Sequence, residues 1–335
     1  MKPPTLSKYF LRGHQSGLTL VELLVALAIS SIIAIAAISA LIVSRRGLTT
    51  VDAASQLRDN GRFAIDLIQR LIVQTGFKDY DYAGVPADRF ASSGVGTQTP
   101  AVGGANNSTP NTSAPDSVFT ARSTGTGYGS DVLVLRFQSS LMNKNSSTSA
   151  TDNAMIDCRG TPQGIAPTGP YSWFGSIFHV GLGTDGEPSL MCSTTDVSTP
   201  VPIVRGVENF QILFGTDNVT PSTAPTVTVT GIPNRFLRAD EMTVVGDAVG
   251  TNANWRRVRN VRVGMVIRGP LGSTQDTVTQ TFYPFGLAAG SSGGTAGTAL
   301  SSTTNDIGTA FTPTPDTRLR QVVTFTVHLR NDQSL

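Results

Sequence analysis

Apolar residues run from Leu18 to Val43, interrupted only by Thr19, Glu22 and three serines. This run of 26 residues exceeds the 7 to 15 apolar residues of a secretory signal and the roughly 20 that a helix needs to span a bilayer. The pattern therefore predicts a helix that stays in the membrane. Basic residues before the run favour a cytoplasmic N-terminus, although Arg45 and Arg46 beyond it weaken a pure charge count.

Beyond Arg46 the apolar residues recur at helical steps of three, four or seven, which predicts that the same helix continues. The predicted stripe is Val51, Ala54, Gly61, Ile65, Ile68 and Ile72. Gly76 is the expected stop, so the helix would extend from Leu18 to Thr75, with Gly47 and Gly61 the expected places for a bend. The alternative is a single-pass anchor followed by an unrelated helix.

After Gly76, short runs rich in Val, Thr and Phe alternate with Gly, Pro, Asn and Ser, which is typical of strands and turns. The predicted strands are 131–138, 176–181, 207–214, 226–230, 258–267, 277–283 and 321–329. In the last of these, apolar residues alternate with Thr and His, which indicates one face toward a core and one toward water. The amphipathic half of the helix would cover that core face, giving an α+β fold: a long helical spine packed on an antiparallel β-sheet head.

Two segments, 91–130 and 286–316, are rich in Gly, Ser, Thr, Asn and Pro and carry few charges. They are expected to be long surface loops. Loops of this length are functional or disordered, and the composition favours disorder or a variable surface. If ordered, they are candidate contacts with partners.

Only 14% of the residues are charged and the formal net charge is +2, which argues against direct nucleic-acid binding. His179 and His328 lie far apart along the chain, no cluster has metal-ligand spacing, and no nucleophile–base pair stands out. We therefore expect no enzyme activity, cofactor or metal. Thr184 to Glu187 is interpreted as a turn, although its carboxylates leave a calcium ion open.

The segment Gly17-Leu-Thr-Leu-Val-Glu22 and the apolar residues after it resemble the type IV prepilin signal: a basic leader ending in Gly, then an apolar segment with Glu at its fifth position. The resemblance implies that a prepilin peptidase cuts between Gly17 and Leu18 and methylates the new amino terminus. It also implies that Glu22 pairs with the amino terminus of a neighbouring subunit. Most family members have Phe where this chain has Leu18. Removing the three basic residues of the leader changes the net charge from +2 to about −1.

Cys158 and Cys192 are the only cysteines, and both lie beyond the membrane segment. On the oxidising side of the membrane they are expected to form a disulfide that stabilises the head by about 3 to 4 kcal/mol. Two free buried thiols are the alternative.

Further segments resemble the PilW-type minor pilins of type IV pili, in the same order along the chain. They are 70–77, 157–160, 201–217, 255–261 and 326–331. The resemblance implies a minor pilin that primes or caps a pilus and supports twitching motility, adhesion or DNA uptake. A type II secretion pseudopilin of the tip complex and a membrane-anchored extracellular binding module are the alternatives.

The expected domains are a leader (1–17), a transmembrane half-helix (18–43), an amphipathic half-helix (44–76) and a β-rich head (77–335). The expected partners are the prepilin peptidase, other minor pilins, the major pilin and inner-membrane lipid. The protein would cross the inner membrane once, with its N-terminus in the cytoplasm, and then enter the pilus fibre.

Overall fold

The computed structural model describes residues 17–83, 98–142, 150–287 and 306–331. The predicted leader up to residue 16 and parts of both predicted loops lie outside these residues. The chain divides into two compact units at the boundary between Val51 and Asp52.

Helix α1 (Leu20–Gln74) runs through both units without interruption, which confirms the single helix predicted from the sequence. It continues through Gly47 and Gly61. At Gly61 an added Cβ would lie 3.1 Å from Cγ2 of Val323, so this glycine lets a strand pack closely against the helix. The helix ends where Gly76 adopts a positive φ of 78°, a backbone conformation that favours glycine and stops a helix.

The buried face of α1 in the second unit contains three of the six predicted stripe residues, Gly61, Ile68 and Ile72. The buried residues are Ala53, Leu57, Gly61, Ala64, Ile68, Leu71 and Ile72. Val51 is 64% exposed, and Ala54 and Ile65 are only half-buried. The prediction missed two small residues of the buried face, Ala53 and Ala64, and included the exposed Val51 instead.

The second unit, the head, contains eleven strands and two short helices, α2 (Tyr80–Ala83) and α3 (Ala248–Trp255), among its described residues. The strands are β1 (Val102–Ala105), β2 (Ser108–Pro110), β3 (Phe119–Ala121), β4 (Val132–Phe137), β5 (Phe174–Leu182), β6 (Pro188–Thr194), β7 (Val201–Arg205), β8 (Val207–Thr216), β9 (Arg235–Leu237), β10 (Val258–Arg268) and β11 (Arg320–His328). They form antiparallel sheets with the orders β1-β4-β5-β6-β7, β11-β10-β8-β9 and β2-β3. The α+β fold with a long N-terminal helix is therefore confirmed.

One apolar core contains side chains from α1 and from both larger sheets. A second, smaller cluster lies on the other side of β4 and β5, where Val132, Val134 and Ile177 pack with Phe119 of β3. Strand β4 is therefore buried on both faces, and its first four residues, Val132 to Leu135, are all apolar instead of alternating with polar ones.

Five predicted strands are confirmed, at 131–138, 176–181, 207–214, 258–267 and 321–329. The strand predicted at 226–230 is wrong, because this segment is irregular. Its backbone bonds to side chains instead of a neighbouring strand: the Thr230 N–H donates to the Asp217 carboxylate at 2.9 Å, and the Val227 carbonyl accepts from Arg257. The alternation of residue types cannot reveal that side chains, and not a neighbouring strand, take the backbone hydrogen bonds of this segment.

The strand predicted at 277–283 is also wrong, since only Phe282 forms a bridge, to Phe311. The end of this segment instead lies over β10, where an added Cβ at Gly264 would meet Pro284 at 2.6 Å. Both faces of β10 are largely buried, whereas β11 keeps its alternation, with Val323 and Val327 buried and Thr326 exposed. The predicted loop at 91–130 is corrected as well, because β1, β2 and β3 lie within its described part.

Candidate functional site

The residues predicted to be processed lie immediately before α1. Gly17, Leu18 and Thr19 are non-helical, and Leu18 is 76% exposed. Apart from its chain neighbours, no atom of the described residues lies within 4 Å of the position that a Cβ on Gly17 would take. The peptide bond between Gly17 and Leu18 is therefore on an accessible segment, the arrangement that proteolysis requires.

Glu22 has a second role that the sequence interpretation did not include. Its Oε2 accepts hydrogen bonds from the Thr19 N–H and the Thr19 hydroxyl, both at 3.0 Å, and the Glu22 N–H donates to Thr19 Oγ1 at 3.3 Å. This is a capping box, which satisfies free N–H groups at a helix start. The pattern Thr-x-x-Glu before an apolar run was the signal that could have predicted it. Oε1 of Glu22 makes no hydrogen bond with the described residues.

The first 32 residues of α1, Leu20–Val51, form a helix of about 48 Å, long and apolar enough to cross a membrane. Two of its hydroxyl groups bond to the helix itself: Ser31 donates to the Ala28 carbonyl and Ser39 to the Ile35 carbonyl, both at 2.8 Å. In lipid no water is present to satisfy polar groups, so internal bonding of this kind suits a membrane-spanning segment.

The C-terminal end of α1 is held by distant parts of the chain. The Asn331 side-chain amide donates to the carbonyls of Val73 (3.0 Å), Gln74 (3.3 Å) and Thr75 (3.4 Å). The Gln74 side chain donates to the Ile156 carbonyl at 2.8 Å and accepts from the Ile156 N–H at 3.3 Å. Carbonyls that a helix end leaves unpaired are thus satisfied by side chains from elsewhere.

We expect Asn331→Ala to lower the free energy of unfolding of the head by about 1 to 2 kcal/mol, because three carbonyls of α1 lose their donor. Trp173 and Trp255 both lie in the head, so tryptophan fluorescence during denaturant unfolding of the full-length protein measures this change. The neighbouring exposed Arg330→Ala is the control and should change little. Equal losses in the two variants would contradict the capping role of Asn331.

Cys158 and Cys192 form a disulfide, with their Cα atoms 5.9 Å apart, which confirms the predicted bridge. Both residues are buried, and Cys192 lies within β6. Cys158 lies two residues after Ile156, the residue that pairs with Gln74. The disulfide therefore fixes the loop that contacts the end of α1.

A buried ion pair lies at the end of β8. Asp217 Oδ2 is 3.6 Å from Arg259 Nε, and both side chains are buried. The Asp217 carboxylate also accepts from the N–H groups of Thr230 and Gly231 and from the Thr230 hydroxyl. Burial alone would raise the pKa of Asp217, but these donors and Arg259 together hold that pKa below its ordinary value.

Six charged side chains form a closed ring of alternating sign at the ends of β8, β10 and β11. The ion pairs are Arg268–Glu187 (2.8 Å), Arg268–Glu208 (2.9 Å), Arg320–Glu208 (2.6 Å), Arg320–Asp316 (2.7 Å), Arg318–Asp316 (3.6 Å) and Arg318–Glu187 (3.1 Å). The ring neutralises the charges near the start of β11. Glu187, the last residue of the predicted turn at 184–187, belongs to this ring, so the turn takes part in a charged contact between strands.

The turn predicted at 184–187 joins β5 to β6, and Gly186 in it has a φ of 75°. Asp185 pairs with Arg205 at 2.9 Å, so both carboxylates of this turn face arginine side chains. In the described part of the chain, no group of three or more His, Cys, Asp or Glu side chains is placed to hold a metal ion.

Comparison with known proteins adds two matches. The profile of the prokaryotic N-terminal methylation motif matches residues 12–38, and the Type IV Pilus-assembly protein W (PilW) profile matches residues 177–331. A search of curated proteins finds no match. Among solved structures, a type IV-like pilin from Thermus thermophilus is 12% identical over 83% of this chain and 98% of its own, with a TM-score of 0.34. A superposition at that score supports no conclusion.

The methylation motif at the start of a long apolar helix defines the class: this is a type IV pilin-like precursor anchored in the inner membrane. The head then specifies the kind, because its C-terminal half carries the PilW domain. The two matches together support a PilW-type minor pilin of type IV pili, as predicted from the sequence. This is a family of pilus components, and the motif associates the chain with prepilin processing.

Proposed function

We propose that this minor pilin is cut between Gly17 and Leu18, leaves the membrane, and joins other minor pilins in a complex that primes or caps a type IV pilus. The exposed, non-helical position of the Gly17–Leu18 bond supports cleavage there. Cleavage would give Leu18 a free amino group one residue before Thr19, the residue that begins the capping box.

The observation that carries the proposal is the way Glu22 divides its two carboxylate oxygens. Oε2 holds the helix start through Thr19, whereas Oε1 makes no hydrogen bond with the described residues. A carboxylate in an apolar segment costs about 2.5 to 3.5 kcal/mol near the bilayer centre, so a cationic partner is favourable. The Leu18 amino group of a neighbouring subunit has the required charge and would set the axial register between helices.

Glu22→Gln tests this proposal, because glutamine keeps an acceptor for Thr19 but removes the charge. We expect the variant to be cut like the wild type and its amount in sheared pili to fall at least tenfold. Mass analysis of the N-terminus measures cleavage, and immunoblotting of the pilus fraction measures incorporation. Gly17→Val is the comparison variant, expected to remain uncut while folding normally, since a side chain at Gly17 meets no neighbouring atom.

Normal incorporation of Glu22→Gln would contradict the register role of Glu22. A wild-type chain that still begins at Met1 in the presence of the peptidase would contradict processing.

Deleting the protein should reduce the number of pili, and twitching motility, adhesion or DNA uptake should fall with it. A secretion defect with normal pili would instead favour the pseudopilin of a type II secretion system.

A further inference from the structure

The outer edge of β11 pairs with no other strand among the described residues. The Leu329 N–H donates to the Arg259 carbonyl at 2.9 Å and the Gly269 N–H donates to the Leu319 carbonyl at 2.7 Å. Bonding direction alternates along an antiparallel strand, so the even-numbered residues of β11 direct their backbone groups away from β10. These residues are Arg320, Val322, Thr324, Thr326 and His328. Their backbone groups have no backbone partner among the described residues on that outer side.

The other sheet edges are protected, and β11 is not. Strand β1 has four residues, two of them glycine, and β9 has only three. Strand β7 contains Pro202 and pairs irregularly with β6. Strand β11 pairs with β10 through nine residues without a register shift and contains no proline. Natural sheets usually block long regular edges because these pair with other chains, so an unblocked edge indicates a binding surface.

The side chains of β11 define what an added strand must present. Val323 packs beneath α1, where it approaches Gly61, and Phe325 on the same face is half-buried. Thr326 on the opposite face is exposed. A complementary strand would therefore alternate, with an apolar residue beside Phe325 and a β-branched polar residue beside Thr326.

Charge distinguishes the two ends of this edge. Arg318 and Arg320 at the start of β11 are neutralised by the ring of ion pairs. Arg330 just beyond the end is exposed and forms no ion pair with the described residues. A partner strand with a carboxylate near Arg330 would be complementary. Two copies pairing about Phe325 would instead place Arg320, which is already paired with Glu208 and Asp316, opposite Arg330. A second copy in this register therefore offers Arg330 no carboxylate of its own on the facing strand.

We propose that β11 binds an extended strand of a different protein in the pilus assembly, which adds to the edge of the sheet through backbone hydrogen bonds. The open edge is a property of the head itself. Only the expectation that the partner belongs to the pilus assembly rests on the proposed function.

A photo-crosslinking experiment in intact cells tests this surface. A benzophenone amino acid replaces exposed His328 in the full-length protein, and the same probe at Val245, which is 93% exposed, is the control position. Thr326→Pro removes one outward N–H without removing a bond to β10, and Thr326→Ala is the matched variant that keeps it. We expect an adduct with another protein from position 328 only, reduced at least tenfold by Thr326→Pro and unchanged by Thr326→Ala.

Hydrogen exchange of the wild type provides a second measurement that does not depend on how well the proline variant folds. The outward amides of β11 should exchange at least tenfold more slowly in the assembled protein than in the detergent-extracted protein. Equal adducts from the proline and alanine variants, an adduct with a second copy of this chain, or unchanged exchange would overturn the proposal. If the protein is cut and incorporated normally but gives no adduct, only the proposed strand binding at β11 is overturned. If the chain is not cut, the proposed function is overturned.

Discussion

Asp217→Ala is expected to lower the free energy of unfolding of the head by about 3 to 5 kcal/mol. The substitution leaves the guanidinium of Arg259 buried without its nearest carboxylate, and it removes the acceptor for the N–H groups of Thr230 and Gly231. A buried charge that loses its partner costs far more than the pair contributed. Denaturant unfolding of the full-length protein, followed through Trp173 and Trp255, measures the loss.

The control is Asp185→Ala, which breaks an Asp–Arg pair that is closer, at 2.9 Å, but exposed. Exposed pairs contribute about 0 to 1 kcal/mol because water competes for both charges. If the two variants lose the same stability, burial does not determine the importance of Asp217.

The effect of Asp217 also has a defined pH dependence. Because its pKa is lower in the folded head than in the unfolded chain, its contribution is fully present above the unfolded pKa of about 4. The contribution is lost as the pH falls through the folded pKa. The difference in stability between the wild type and Asp217→Ala should therefore be constant near neutral pH and shrink below about pH 4.

Loss of the disulfide is the second large effect. Replacing Cys158 and Cys192 together by alanine is expected to lower the free energy of unfolding by about 3 to 4 kcal/mol, because the bridge closes a long loop in the unfolded chain. The same fluorescence measurement applies. A reductant should destabilise the wild type by a similar amount and leave the double variant unchanged. A double variant as stable as the oxidised wild type would contradict this prediction.

Three of the segments that resemble the PilW-type minor pilins lie at or beside the contacts that hold the end of α1. The segment ending in Phe77 contributes Gln74 to the end of α1. The loop at Cys158 places Ile156 against Gln74, and the closing segment places Asn331 on the last carbonyls of the helix. Segments far apart in sequence thus meet at one helix end, and the resemblance marks this junction in the head.

Long or strongly patterned features were predictable from the sequence. The 26 apolar residues, the alternation in β11 and the two lone cysteines each follow from one dominant physical requirement. The buried helix face was predicted only in part, because the small residues Ala53 and Ala64 lie at the contact beside larger ones such as Ile68. The irregular segment at 226–230 and the short strands β1 to β3 depend on partners far along the chain, which alternation does not reveal.

The burial of α1 also affects the order in which parts of the protein can fold during synthesis. The helical face around Gly61 and Ile68 is synthesised early, whereas β11, which covers part of this face, is synthesised near the end. Asn331 likewise bonds to the Val73 carbonyl, 258 positions earlier in the chain. Contacts so distant in sequence close slowly, because the chain must first lose a large loop entropy. The growing chain therefore carries a partly uncovered helix face until its last strand has emerged, and truncation before residue 320 would leave the part around Gly61 without Val323.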